Sequence, residues 1–228
     1  MTANLQTAAL ADALASAAAT GEPFALIDDA SGSIHSTARL LTQPVRVISA
    51  RRTDDIAAAL DAAQSLADSG FRVAGYVSYE AAPAFDPAIR RLIFQTGNMP
   101  LIWFGAFKTE KIYPFVPSSS RCEPQSAVRT NPLIHSLALS DTYREYEQKI
   151  RKIKDYIASG DTYQVNLTSS LTFGYDGSPA ELYFHLRSRQ SAPYGAFIRT
   201  DDAAILSFSP ELFFRIDNLP DGRRAILS

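Results

Sequence analysis

Glu211 is the carboxylate whose neighbours best suit it for chemistry. It follows a Ser-Pro pair and lies between two short apolar runs that contain Phe208 and Phe213. Such neighbours would desolvate a nearby carboxyl, and desolvation disfavours its charged form and prepares it to act as an acid. A turn glutamate that points into water explains the same pattern, and the residues alone favour that simpler interpretation.

Histidine and cysteine offer little chemistry in this sequence. The three histidines, His35, His135 and His185, are far apart and lack the spacing of metal ligands. The one cysteine, Cys122, can form no disulfide within the chain and fits a reducing cytoplasm. The sequence contains no phosphate-binding loop, dinucleotide fingerprint or paired-cysteine zinc motif. The residues therefore predict no metal site in this chain.

The composition is that of an ordinary globular protein. The 228 residues are 46% hydrophobic and 20% charged, with a formal net charge of -2. No basic stripe favours nucleic acid or an anionic membrane surface. The alanine-rich start has no lysine or arginine before Arg39, unlike a signal peptide, and no apolar stretch approaches the roughly 20 residues that cross a bilayer. We expect a cytoplasmic protein without nucleic-acid or membrane partners.

The first half of the chain alternates helices and strands. Thr53 can cap a helix that ends near Gly70, because apolar residues recur on one helical face between them. Residues 114–132 are rich in proline and serine and predict a surface connection. We therefore divide the chain into residues 1–132 and residues 133–228. Strands are predicted over residues 24–27, 45–48, 71–79 and 101–107.

The second half has clearer periodicity. Ser140 can cap a helix that runs to about residue 159, and residues 163–173 alternate apolar and polar side chains as a long strand would. A proline at 179 and a glutamate at 181 predict another helix from 178 to about 190. The remaining strands are predicted over residues 194–200, 204–208 and 212–216, with one more from Arg223. Glu211 would thus lie between two strands.

Four stretches resemble one family of enzymes. Residues 159–167 (SGDTYQVNL), 192–197 (APYGAF) and 205–213 (ILSFSPELF) resemble, in order and spacing, segments of component I of aminodeoxychorismate synthase. Residues 75–86 (GYVSYEAAPAFD) resemble an N-terminal segment of the same enzymes, particularly of forms with a lyase fused behind the synthase. The set is specific to chorismate-using enzymes and covers most of the chain, loosely before residue 130 and closely after it.

The resemblance implies an α+β fold in which two large β-sheets pack face to face with helices outside. It implies a reaction that replaces the 4-hydroxyl of chorismate with an amino group, giving 4-amino-4-deoxychorismate for para-aminobenzoate and folate synthesis. Ammonia would come from glutamine through a separate amidotransferase subunit, component II, and Mg2+ would be required. Because hydroxide leaves badly, such a site needs a metal and an acid to stabilise the departing oxygen.

The resemblance also implies roles for individual residues. Glu211 matches the glutamate of the family's S-P-E segment, which is implicated in acid–base chemistry at the site. Pro193 and Tyr194 match positions near a tryptophan pocket found in some relatives, whose other half is an L-L-x-S motif. Residues 26–29 match that motif, with Asp29 in the place of the serine.

Other groups that the family uses do not occur in these residues. A lysine in a P-I-K-G-T motif, thought to attack the ring as a nucleophile, normally follows the strand that begins here at Arg223, and the Mg2+-binding glutamates come later. Because the sequence stops at Ser228, we expect a truncated chain that is inactive alone. Anthranilate synthase component I, with alanine in place of that lysine, is the alternative enzyme. A non-catalytic module that binds an aromatic acid or the amidotransferase is the alternative from another class.

Overall fold

The computed structural model describes residues 2–30, 36–89, 97, 99–114, 134–190, 192–219 and 222–227. Contacts between Cα atoms divide the chain into two compact units, one of residues 1–123 with 179–228 and one of residues 124–178. Residues 179–228 thus belong with the N-terminal part, whereas the sequence grouped them with residues 133–178. The predicted boundary at residue 132 lies outside the described residues and stays a prediction.

The described residues form four α-helices and twelve β-strands. The helices are α1 (Thr2–Ala19), α2 (Ile56–Asp68), α3 (Tyr143–Ser159) and α4 (Pro179–Arg187). The strands are β1 (Phe24–Asp29), β2 (Thr37–Thr42), β3 (Arg46–Ala50), β4 (Arg72–Val77), β5 (Ile102–Phe107), β6 (Lys111–Pro114), β7 (Ile134–Leu139), β8 (Leu171–Tyr175), β9 (Tyr194–Arg199), β10 (Ala204–Ser209), β11 (Arg215–Asn218) and β12 (Arg224–Leu227). None of the described helices has the length and apolar character needed to cross a membrane.

A five-stranded antiparallel sheet is the centre of the first unit, with strand order β10-β9-β1-β2-β6. Helices α1 and α4 pack on one of its faces. Side chains alternate along a strand, so Phe24 and Leu26 of β1 join Leu14 of α1 and Tyr183 of α4 in one buried cluster. Ala25, between them, faces the other way.

A second sheet covers that other face. It has the order β3-β5-β4, and its strands are antiparallel. Trp103 and Phe107 of β5 form a buried cluster with Ala25 and Ile198 of the first sheet. Helix α2 packs on the opposite side of the second sheet through side chains that include Ile56. Two packed sheets with outer helices confirm the predicted α+β fold.

The second unit contains α3 and the antiparallel pair β7 and β8. Helix α3 begins after Thr142, whose Oγ1 accepts a hydrogen bond from the Glu145 N–H at 3.3 Å, while the Glu145 carboxylate accepts one from the Thr142 N–H at 2.8 Å. The predicted cap at Ser140 is therefore wrong by two residues. At the other end, Gly160 has a φ of 79°, which ends the helix as the sequence predicted.

Several predicted boundaries are corrected by the structure. The long strand expected over residues 163–173 is a strand only over β8, because among the described residues β7 is the strand that pairs there. Residues 212–214 are not in a strand, and β11 begins later. Thr53 begins a short 3-10 helix, and α2 starts at Ile56. Helix α4 ends at Arg187, three residues before the predicted end.

Candidate functional site

Glu211 lies just beyond the end of β10. The Ser209 hydroxyl donates a hydrogen bond to the Glu211 carbonyl at 2.7 Å, and the Glu211 N–H donates a long one of 3.5 Å back to the Ser209 Oγ. The glutamate is exposed, and Phe213 is 87% exposed. The apolar neighbours that the sequence indicated therefore do not desolvate this carboxyl in the structure.

The sheet brings the predicted site positions to the same end of strands β1, β9 and β10. This end of the three strands is called the edge below. In the antiparallel register, Asp29 of β1 is opposite Tyr194 of β9, and Tyr194 is opposite Ser209 of β10. The Pro193 carbonyl accepts a hydrogen bond of 2.6 Å from the Ala30 N–H. Pro193 and Tyr194 therefore adjoin both the segment at residues 26–29 and the strand end that leads to Glu211.

A buried charged network, formed by Asp28, Tyr183 and Arg187, lies next to this edge. The side chains of Asp28 and Arg187 are 0% and 3% exposed. Arg187 donates to Asp28 Oδ1 from Nη2 at 2.6 Å and from Nε at 3.1 Å, and Nε also lies 3.2 Å from Oδ2. The Tyr183 hydroxyl donates a hydrogen bond to Oδ2. A buried charge needs such a set of partners, because burial without them costs several kcal/mol.

The network depends on a glycine in the neighbouring strand. Gly195 of β9 is opposite Asp28. A Cβ at Gly195 would come within 2.7 Å of the Asp28 Cγ and 2.8 Å of Oδ1, closer than a Cβ approaches other heavy atoms without displacing them. The absence of a side chain at this position therefore makes room for the carboxylate.

Burial also fixes the protonation of Tyr183. Desolvation raises the pKa of this phenol far above its ordinary value, and the negative charge of Asp28 raises it further. The phenol therefore stays protonated and remains a hydrogen-bond donor to Asp28 at neutral pH. Its ring stacks on Phe208 with centroids 5.5 Å apart.

Sequence reasoning missed this network. Two local signals existed: Asp28 interrupts the apolar run of β1, and Tyr183 and Arg187 are four residues apart on a predicted helix and so share a face. Nothing local connects the two signals, because Asp28 and Arg187 are 159 positions apart. Only the packing of α4 on the five-stranded sheet brings them together.

The histidines and the cysteine are not part of the network formed by Asp28, Tyr183 and Arg187, or they lie outside the described residues. His185 is exposed on α4, and His135 of the second unit lies 3.4 Å from Asp176. His35 and Cys122 are outside the described residues. No group of three or more His, Cys, Asp or Glu side chains in the described part of the chain is arranged to hold a metal ion. The described residues thus offer no site that fits Mg2+.

A shallow cavity of about 370 Å³ occurs at the opposite end of the same strands. It is lined by Glu22, Gln43, Val47 and Asp201, among others. At that end Phe24 of β1 is opposite Arg199 of β9. The strands therefore separate this cavity from the edge that leads to Glu211.

The chain belongs to the family of chorismate binding enzymes, because the model of that family matches residues 22–226. The match includes β1, the predicted pocket positions and Glu211.

Relatives with two different names match parts of this chain. Aminodeoxychorismate synthase component 1 of Klebsiella aerogenes is 38% identical over 94 residues, which are 39% of this chain and 21% of that protein. The Escherichia coli K12 protein of the same name is 40% identical over 77 residues, 34% of this chain and 17% of that protein. Anthranilate synthase component 1 of Saccharolobus solfataricus is 33% identical over 75 residues, 32% of this chain and 18% of that protein. Each alignment thus spans about a fifth of the relative's length.

Proposed function

We propose that this chain is component I of an aminodeoxychorismate synthase, acting on chorismate. The observation that carries the proposal is the difference in identity over segments of similar length. Over aligned segments of 94 and 77 residues the chain is 38% and 40% identical to two aminodeoxychorismate synthase components, and over 75 and 81 residues it is 33% and 35% identical to two anthranilate synthase components. Anthranilate synthase component I is the second candidate, because that resemblance is also substantial.

In the proposed reaction the nitrogen of ammonia forms a bond to C4 of chorismate and the C4–O bond breaks. The departing oxygen leaves as water once it has received a proton. Glu211 is the proposed acid–base group that donates this proton. It follows Ser209, which is opposite Tyr194 at the end of β10 and hydrogen-bonded to the Glu211 carbonyl. Its exposure leaves it accessible to a substrate at this edge.

Three further features of the function are proposals that rest on the resemblance. Ammonia would come from a glutamine amidotransferase, component II, and the name component 1 of the relatives supports a second component. Mg2+ would assist departure of the hydroxyl, but the described residues do not fit a Mg2+ site. Pro193 and Tyr194 would border an aromatic amino-acid pocket, and their pairing with β1 and Ala30 supports this position.

Product analysis tests the proposed function. The product of the whole reading frame is incubated with chorismate, ammonium and Mg2+, and we expect 4-amino-4-deoxychorismate. Anthranilate as the product would refute the proposal in favour of the second candidate. Replacing Glu211 by Gln should lower the rate by about 10²-fold or more, as loss of a general acid does. The control is Glu22→Gln at the opposite end of β1, for which we expect no change.

For the 228 residues alone we predict no turnover, because the lysine and the Mg2+-binding glutamates implied by the resemblance are not among them. Turnover by this chain would refute the view that those groups are essential. Calorimetry with chorismate, tryptophan and an amidotransferase subunit separates the remaining possibilities. Tight, saturable binding with no turnover by any longer form would favour a binding module over an enzyme.

A further inference from the structure

Helix α4 presents two buried polar side chains to the sheet. Tyr183 and Arg187 are one helical turn apart on the same face, and both are buried. Besides its bonds to Asp28, Arg187 donates from Nη1 to the Ala192 carbonyl at 2.7 Å and lies 3.4 Å from the Gln190 carbonyl. One guanidinium therefore joins β1 to the backbone that leads into Pro193 and β9.

Tyr183 contacts the same row of residues at two points. In the sheet, Asp28 is opposite Gly195, and Gly195 is opposite Phe208. The Tyr183 hydroxyl donates to Asp28 at one end of this row, and its ring stacks on Phe208 at the other, at an interplanar angle of 25°. Helix α4 thus contacts β1 and β10 through residues that are in register with each other across β9.

The next residue along β10 connects this row to Glu211. Phe208 precedes Ser209, which is opposite Tyr194. The Ser209 hydroxyl donates a hydrogen bond to the Glu211 carbonyl and accepts one from the Glu211 N–H. Beyond Ser209, the segment at residues 210–214 has no regular secondary structure. The position of the Glu211 backbone therefore depends on how firmly the end of β10 is held.

We propose that Tyr183 and Arg187 are positioning residues that hold the ends of β9 and β10 and so place Glu211 at the site. The proposal rests on the function proposed above for Glu211. Hydrogen bonds between buried charged groups are directional and strong in a low dielectric, so they oppose rotation or sliding of the strand ends more than apolar contacts do. Neither residue is assigned a contact with substrate.

Amide hydrogen exchange of the 228-residue protein tests this inference without any substrate. We compare the wild type with Tyr183→Phe, which keeps the ring and loses the donor, and with Arg187→Lys, which keeps the charge and loses the fork of donors. The control is Ile56→Val, which destabilises the buried cluster of α2 in the same unit. Carboxyl chemical shifts of 13C-labelled Glu211, assigned with Glu211→Gln, give a second measurement.

We expect exchange of the backbone amides of Tyr194, Gly195, Phe208, Ser209 and Glu211 to rise at least about ten-fold more than exchange of the other described amides in either network variant, because a lost hydrogen bond to a buried charge opens its surroundings locally. The Glu211 carboxyl resonance should shift in both network variants and stay unchanged in Ile56→Val. If Arg187→Lys does not fold, Tyr183→Phe decides the question.

Uniform changes along the chain, with the same pattern as in Ile56→Val, would overturn the inference and leave the network with a role in stability alone. The outcome is distinguishable from failure of the proposed function. Loosening confined to these amides, with no 4-amino-4-deoxychorismate made by the product of the whole reading frame, would uphold the positioning role and refute the function.

Discussion

Removing both partners of the buried ion pair should cost less stability than the sum of the losses from removing each partner alone. In Arg187→Met, the Asp28 carboxylate keeps the Tyr183 hydroxyl but loses three donor contacts of 2.6, 3.1 and 3.2 Å in a site where it is fully buried. An uncompensated buried charge costs about 3–5 kcal/mol, so we expect a loss of that size in the free energy of unfolding. Asp28→Asn leaves the buried guanidinium unpaired, and we expect a loss in the same range.

The double variant removes both charges and separates the pairwise interaction from the rest. Its loss should be smaller than the sum of the two single losses by about 2–3 kcal/mol, because the second substitution relieves the charge that the first one left unpaired. A matched surface pair provides the control. Arg215 lies 3.0 Å from Asp217, but the two side chains are 56% and 42% exposed, so Arg215→Met should cost less than about 1 kcal/mol.

Urea denaturation followed by tryptophan fluorescence measures these losses. The single tryptophan, Trp103, is 2% exposed in the cluster between the two sheets of the same unit, so it reports unfolding of the structure that contains the network. The m value shows whether each variant unfolds over the same surface. Additive losses, or single losses no larger than that of Arg215→Met, would refute the reasoning, since the pair would then behave like an exposed one.

Three more predictions concern other parts of the chain. Gly195→Ala should lower the free energy of unfolding by about 1–3 kcal/mol through overpacking against the buried carboxylate, whereas Gly97→Ala, with no atom within 4 Å of the added Cβ, should change it little in the same urea experiment. Thr142→Ala should cost about 1 kcal/mol of α3 stability, seen as faster exchange of its first amides, because it removes one bond of the capping box. The hydrogen bond from Lys149 holds the pKa of Asp141 below its ordinary value. The contribution of this hydrogen bond to stability is therefore complete when the pH is above the ordinary pKa of Asp141. It is lost as the pH falls through the lower pKa that Asp141 has in the folded protein. Carbon NMR titration should show this pKa rising toward its ordinary value in Lys149→Met, and an unchanged pKa would refute the assignment.

The helices were predictable wherever their signals are local. The apolar periodicity of α3 and the glycine after it are properties of consecutive residues, and the structure agrees with both. The start was missed because Ser140 and Thr142 are both capable caps. Thr142 has Glu145 three residues later and forms the capping box. Ser140 instead pairs with the backbone of Ser170: its Oγ accepts a hydrogen bond from the Ser170 N–H at 3.0 Å, and its own N–H donates to the Ser170 carbonyl at 2.8 Å. The choice between the two caps thus depended on a contact distant in the sequence.

The strands were less predictable because a strand needs a partner as well as a pattern. Residues 163–170 alternate as regularly as β8 does, yet they are not in a strand, and β7 pairs with β8 alone in the described part of the unit. Alternation with a period of two residues indicates which side chains share a face of a strand, but it does not indicate which other segment pairs with that strand. The same limit applies to Asp28, whose charge inside an apolar run indicated a partner without identifying Arg187.

The position of Glu211 and its environment have separate physical origins in this molecule. A carboxyl that delivers a proton at neutral pH needs surroundings that disfavour its charged form, and the structure leaves Glu211 exposed. What the fold does supply is a fixed strand end, held from beneath by Tyr183 and Arg187. In the proposed function, a substrate bound over Glu211 would exclude water from this carboxyl, so binding and proton transfer would be coupled at this edge. In the product of the whole reading frame, chorismate should therefore slow carbodiimide modification of Glu211 more than an equal concentration of a dicarboxylate such as succinate, whose carboxyls consume the reagent in the same way. Equal rates with chorismate and with succinate would show that the substrate does not cover this carboxyl.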